Sequence, residues 1–314
     1  MKNKKEKNIL IGCICAIVCQ FLFGMSFIFT KQVVDKVSPF ALLGWRFIAA
    51  FIVMTICIAI GALKINLNGK KMKPLIVIGI FSPVVYFVGE TLGIKLTTAS
   101  ESGTVVACIP VVSLVASSII LKEKPKRKQV IGIIVTLIGA VITVFAVEIR
   151  ASFSLVGYLL LIVAVVSYAF YSAYSEKASE YTSTEITYVM MALGALFFGT
   201  IAIIQAMING KLKELITLPI NNRDFLITTL YLGIGCSVVA FFLVNIALAK
   251  IGVNRVSTFV GIATVVSILS GVIFLHEAFS RMQIIGAVII VAGVYIANIK
   301  RRSLSKNNLE KNNG

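Results

Sequence analysis

Residues 121–139 read LKEKPKRKQVIGIIVTLIG, and residues 275–293, 154 positions later, read LHEAFSRMQIIGAVIIVAG. Laid over one another, Leu121, Glu123, Gln129, Gly132 and Gly139 match Leu275, Glu277, Gln283, Gly286 and Gly293 at unchanged spacing. The correspondence continues upstream, where Val111-Val112-Ser113 answers Val265-Val266-Ser267. After a one-residue gap, Lys95 answers Lys250 and Glu90 answers Asn245. A weaker match at a spacing of 145 pairs Gly12 with Gly157 and Asp35 with Glu180. The chain therefore reads as a duplication, with the boundary near residues 148–152.

Composition identifies the material of each copy. With 58% hydrophobic and only 14% charged residues, 314 residues cannot cover a soluble surface. Ten apolar runs are long enough to cross a ~30 Å hydrocarbon core as helices. They fall at 9–30, 39–63, 74–94, 103–121 and 130–147, then at 153–174, 185–208, 225–249, 256–275 and 282–299. Helices are required, because backbone polar groups in lipid must be satisfied within their own segment. The expected fold is an all-α polytopic membrane protein of ten transmembrane helices, one five-helix repeat over 9–147 and a second over 153–299. Residues 1–8 form a short N-terminus, and the polar, Lys- and Asn-rich 300–314 an expected disordered tail. The longest connection, Asn209 to Asp224, carries Gly210, Pro219 and Asn221-Asn222 and reads as turn chemistry rather than as a folded element.

The basic residues orient these helices. With the N-terminus in the cytoplasm, the inner segments carry 21 of the 30 Lys and Arg, the outer loops 8, and Arg46 stands alone within a span. That is the positive-inside bias. It predicts both termini in the cytoplasm, and the expected location is the cell membrane. An odd number of spans per copy then turns one copy upside down: Lys95 and Glu277 fall outside, their counterparts Lys250 and Glu123 inside. The net charge of +17 thus reflects topology, and no basic face with interleaved aromatics suggests nucleic acid. The six cysteines all lie in apolar runs and read as packing residues. The N-terminal lysines and apolar stretch imitate a secretory signal, but the stretch is long and lacks a small-x-small site, so it reads as a retained first span.

The repeated Leu-x-Glu followed by Gln, Gly and Gly, on ten spans, resembles the EamA-type family of the drug/metabolite transporter superfamily, and the resemblance covers nearly the whole chain. Pro39, Trp45-Arg46-Phe47, Thr97-Thr98-Ala99-Ser100 and Pro110 fit it. Thr264 stands where the second copy of that proline would fall, which puts a proline-dependent kink there in doubt. The resemblance implies a secondary transporter, a permease for small organic metabolites that works by alternating access about a central site. Export of amino-acid-like compounds is the first expectation, and import of a vitamin or nucleoside-like compound the alternative. A membrane enzyme would need convergent acid, base or metal groups at one depth, and a sensor or structural protein would pack solid without a central cavity. The implied partners are a small-molecule substrate and the bilayer, with a homodimer left open. No metal or phosphate-binding motif is present, so no cofactor is expected.

Several residues are candidates for that site, each with a structural alternative. Arg46 and Glu90 are costly within a span, and an ion pair between them, facing the cavity or locking the outer gate, is the expectation. Gln20, Ser26 and Thr30 in the first span and Asn245 in the eighth are polar groups on apolar faces, which either contact cargo or hydrogen-bond a neighbouring helix. Tyr168, Tyr171 and Tyr174 recur every three residues, either as an aromatic surface for cargo or as packing and interfacial residues. For the repeated motif the structural reading leads. Glu123 and Glu277 would cap the helix that follows each of them, Gln129 and Gln283 would sit in its first turn, and the glycine pairs would permit close helix approach. His276, the one histidine, reads as a surface residue at a span end.

Overall fold

The computed structural model describes residues 2–122, 127–145, 154–277 and 280–298. Among them there is no β-strand. Eight helices are long and apolar enough to cross a membrane. In chain order they are α1 (Lys2–Val34), α2 (Pro39–Ala59), α3 (Lys73–Leu96), α4 (Ala99–Ile120), α6 (Leu155–Lys177), α7 (Ser183–Ile208), α9 (Arg223–Ile251) and α10 (Val253–Phe274). Two further helices, α5 (Arg127–Phe145) and α11 (Arg281–Asn298), occupy the remaining expected runs with shorter apolar stretches. One short helix, α8 (Leu212–Asn221), completes the set.

Local chemistry explains most helix ends. Pro39 opens α2, where its missing N–H costs nothing. Capping boxes start α4 (Thr98 with Glu101) and α7 (Thr182 with Glu185), each side chain serving the other's backbone N–H. Ser280 and Gln283 exchange the same pair of bonds at the start of α11. Inside α3 the ladder widens to a π turn over Ile80–Val85, where Pro83 supplies no N–H. A π segment, Tyr231–Ala240, stands at the corresponding place in α9. The helix α4 breaks between Val106 and Ile109, just before Pro110. In α10, which has no proline there, a 3-10 turn at Ser257–Phe259 interrupts the first turns.

The connection before α9 is a helix, correcting the expectation of a turn-rich loop. Leu212, Ile216 and Ile220 form an exposed apolar stripe at i, i+4 and i+8, while Leu215 and Leu218 face the protein. Pro219 would break the bond to the carbonyl of Leu215, but that oxygen accepts from Trp45 Nε1 at 2.9 Å instead. A tertiary donor thus replaces the missing local one.

Packing runs mostly between the two halves of the chain. α1 packs on α9 and α10, and α6 packs on α3 and α4. α2 meets α7, α4 meets α10, and α5 meets α11. Exchanging each helix for its counterpart in the repeat returns the same list. The α5–α11 crossing is built on the repeated glycines. A Cβ at Gly139 would lie 2.7 Å from the carbonyl oxygen of Gly286 and 2.7 Å from the amide nitrogen of Ile290. One at Gly293 would lie 2.5 Å from Thr136 and 2.8 Å from the carbonyl oxygen of Gly132. Only hydrogen fits at these points, which lets the two backbones touch.

Candidate functional site

Five of the candidate residues converge on one internal cavity midway along the bundle: Gln20, Ser26, Arg46, Glu90 and Tyr168. Helical spacing brings them there. On α1, Gln20, Phe23, Ser26 and Phe27 share one face. On α3, Tyr86, Phe87 and Glu90 follow the π turn, and the i, i+4 step sets the Tyr86 hydroxyl against Glu90. The break in α4 contributes Val106 and Ile109, and the first turns of α10 contribute Val260 and Ala263. Phe241 of α9 closes the aromatic wall, edge-on to Phe23 at 5.3 Å.

Arg46 is 2% exposed and Glu90 4%, yet they do not form the expected ion pair. The Arg46 guanidinium lies 4.1 Å above the ring of Phe87, and its Nε donates to Ser237 Oγ at 2.8 Å. Glu90 accepts from the Tyr86 hydroxyl. Tyr86 and Phe87, the partners of Glu90 and Arg46, themselves meet edge to face with ring centroids 4.8 Å apart. Both charges line the cavity. Gln20 and Tyr168 line it too, with both side chains buried. Ser26 donates back to the carbonyl of Phe23 in its own helix at 2.6 Å. The cavity measures about 20 Å³, room for roughly one water.

The other candidates lie elsewhere. Asn245 does not reach the cavity: its Oδ1 accepts from Tyr171 at 2.8 Å and its Nδ2 donates to Thr187 at 2.9 Å, so it and Tyr171 satisfy one another between α6, α7 and α9. Tyr174 stacks on Phe81 at 5.8 Å. Thr30 is buried away from the cavity. The sequence reading passed over Tyr86, Phe87 and Ser237. Tyr86 was findable from its i, i+4 relation to Glu90, whereas Phe87 and Ser237 answer Arg46 across helices and leave no sequence signal.

Polar clasps join helix ends toward both ends of the bundle. At one end Glu277, leaving α10, accepts from the backbone N–H groups of Ala99 and Ser100 at 2.7 and 2.9 Å and from Ser100 Oγ at 2.6 Å. This corrects the expectation that Glu277 caps the helix after it. It caps α4, in the other half of the chain, while Ser280 and Gln283 serve the start of α11. The exposed His276 makes that reach feasible: its φ of 51° turns the chain, and the N–H of Glu277 returns to the carbonyl of Gly271. Lys122, its counterpart, has a φ of 57°. Glu123 lies outside the described residues, and of Gln129 only its place in the first turn of α5 is described. At the same end Lys31 donates to the carbonyls of Ile94 and Lys95, and Ser38 to Gln205. At the opposite end Lys70 pairs with the buried Glu185 at 2.7 Å, and Tyr181 donates to the carbonyl of Lys71. There too Val253 N–H donates to Glu176, and Ser117 to Asn254.

A bundle of apolar membrane-length helices with charged groups buried inside it and polar clasps between its helix ends suits a membrane transporter. The model of the EamA-like transporter family matches residues 10–145 and again 155–299, and the chain belongs to that family. An uncharacterized transporter of Bacillus subtilis, YcxC, is 30% identical over 93% of this chain and 94% of its own. A protein of Streptantibioticus cattleyicolor named a probable terminal-alkyne amino-acid exporter is 24% identical over 81% of this chain and 82% of its own. One solved crystal structure shares the fold at a TM-score of 0.65, with 22% identity over 96% of this chain and 99% of that one.

Proposed function

We propose that the chain is a secondary transporter in the cell membrane that moves a small organic metabolite through the central cavity by alternating access, and that it exports amino-acid-like compounds. The observation that carries this reading is the cavity itself. Two buried charged side chains within the bundle, each hydrogen-bonded to a neutral side chain and not in direct contact with one another, are expensive in a membrane and unnecessary for packing. A bundle serving only as a scaffold would pair them or replace them with apolar groups. The name of the Streptantibioticus relative supports amino-acid-like cargo.

The reading includes ten spans in two inverted halves with both termini in the cytoplasm. It is supported by the exchange symmetry of the packing and by the clasps, which join the start of α4 to the end of α10 but the start of α7 to the approach of α3. Counterpart helices then run in opposite directions. In this form both ends are clasped and the cavity is occluded. Rocking the halves would open one clasp while the other holds, and cargo would shift the balance between inward- and outward-open forms. The test compares metabolites inside and outside cells with and without the protein, followed by transport of the affected compounds in proteoliposomes. Accumulation outside only when the protein is present is expected; unchanged pools together with inert proteoliposomes would sink the reading.

A further inference from the structure

The short helix α8 has three faces, and the bundle covers only one of them. At about 100° per residue, Leu212, Ile216 and Ile220 share an apolar face, with Ile216 59% and Ile220 84% exposed. Lys213, Thr217 and Asn221 follow on the next face, where Asn221 Nδ2 donates to Thr217 Oγ1 at 3.1 Å. Leu215 and Leu218 occupy the third, toward the protein. An exposed apolar face beside a polar one is the pattern of a helix at the boundary between acyl chains and headgroups.

We infer that α8 lies along the bilayer interface, with Leu212, Ile216 and Ile220 in the acyl chains, and that Lys36, Lys211 and Lys213 beside it bind the headgroup of an anionic phospholipid.

The position of α8 suits this seat. It links the end of α7 to the start of α9, where two membrane-length helices leave the hydrocarbon. Those spans expose apolar residues up to the junctions, Met207 and Ile208 on one side and Leu226 and Ile227 on the other, and the α8 face continues that surface. Charge favours lipid over a second copy of the chain. Lys36, Lys211, Lys213 and Arg223 stand around α8 against Glu214 and Asp224, so four cations and two anions leave a net of two positive charges. A two-fold pairing through α8 would set that charge against itself, whereas anionic headgroups are drawn to it.

A cavity behind α8, where α2 begins and α7 ends, supplies the place for the headgroup. It measures about 360 Å³, within the roughly 300–1,000 Å³ of small-molecule sites. Its lining combines buried Ala41, Ala202 and Ala206 with exposed Lys36 and Lys211, a mixture that suits an amphiphile. Glu214 pairs with Lys211 at 3.4 Å, so the charged lining keeps one positive charge. The single negative charge of a phosphatidylglycerol headgroup answers it; a zwitterionic headgroup leaves it unanswered.

The test uses the full chain in proteoliposomes. Trp45 is the one tryptophan, and its indole donates to the carbonyl of Leu215, so its fluorescence reports on lipid beside α8. In vesicles of equal parts phosphatidylglycerol and phosphatidylcholine, brominating the acyl chains of one lipid at a time shows which lies next to it. Brominated phosphatidylglycerol is expected to quench roughly twofold more strongly than brominated phosphatidylcholine, and high salt to narrow the difference. The triple variant Lys36→Gln, Lys211→Gln, Lys213→Gln should lose the preference, and the corresponding Arg variant should keep it. Equal quenching by the two lipids in the unaltered protein overturns the headgroup site, as does a preference that survives the Gln substitutions. So does loss of the preference on adding inorganic phosphate at constant ionic strength, which would assign the lysines to a soluble anion. Depth is read separately. With the six native cysteines replaced, a nitroxide is attached through Ile216→Cys or Lys213→Cys. Its relaxation by oxygen, which concentrates in acyl chains, is compared with that by a water-soluble nickel chelate present on both sides of the membrane. The label at 216 is expected to favour oxygen and the label at 213 nickel. Equal nickel access at the two positions overturns the interfacial seat. Protection of the 216 label from both agents overturns it as well, because protein, a second copy included, would then cover that face.

Discussion

Glu277 shows how much a single side chain can do once the chain around it has turned. Its carboxylate gathers two backbone N–H groups and a hydroxyl at the start of α4, donors that α4 cannot satisfy within itself. The helix dipole adds to the attraction. Little room is left around it: a Cβ at Gly271 would come within 2.4 Å of both the Glu277 carboxylate and Ser100 Oγ. Because Glu277 is half-buried, screening limits the gain, and Glu277→Ala is expected to lower stability by about 2 kcal/mol, at the scale of charge-assisted hydrogen bonds. Unfolding of the purified protein in a denaturing detergent would measure it. The same variant should make the Ala99 and Ser100 amides exchange faster with solvent, and unchanged exchange would show that the clasp is not what protects them. The carboxylate was visible in the sequence as half of a repeated motif, but its target was not, since nothing local distinguishes the next helix from one 177 residues away.

At the scale of elements, the crossing of α5 and α11 is where sequence and structure agree most directly. Glycines seven residues apart fall on one helical face, and both helices present such a pair at the crossing. Gly139→Val would drive a branched side chain into backbone atoms that cannot move aside. The expected cost is about 1–3 kcal/mol or more, typical of overpacking, with a matching loss of folded protein on size-exclusion chromatography. Ala at the same position is expected to be milder. The α8 helix teaches the opposite lesson. Gly210 and Asn222 do flank it, but Pro219 lies inside it, and the helix depends on an amphipathic face and on a Trp45 donor from α2. Turn residues mark where structure can stop; they do not say that none lies between.

At the scale of the whole molecule, the inverted reading makes a simple expectation. In a background without the six cysteines, single cysteines placed at Gly210 and Lys36 should react with a membrane-impermeant maleimide applied to intact cells. Those at Asn68 and Lys177 should react only after the membrane is opened. Labelling of all four from one side would refute the topology. The clasps at the two ends differ in kind: one centres on a carboxylate gripping a helix start, the other on the Lys70–Glu185 ion pair. The two ends of the bundle are therefore not held alike, and they need not open with equal ease.

The sequence by itself determined the membrane class, the helical runs and the duplication, because these follow from composition and spacing along one chain. It also located Arg46 and Glu90 as charges too costly to be incidental. Only the tertiary structure decided that they share a cavity without pairing, that Asn245 and Tyr171 answer one another away from it, and that Glu277 serves the other half. Those outcomes depend on which side chain of which neighbouring helix arrives within about 3 Å, a distance at which hydrogen bonds are made. No periodicity along the chain encodes that arrival.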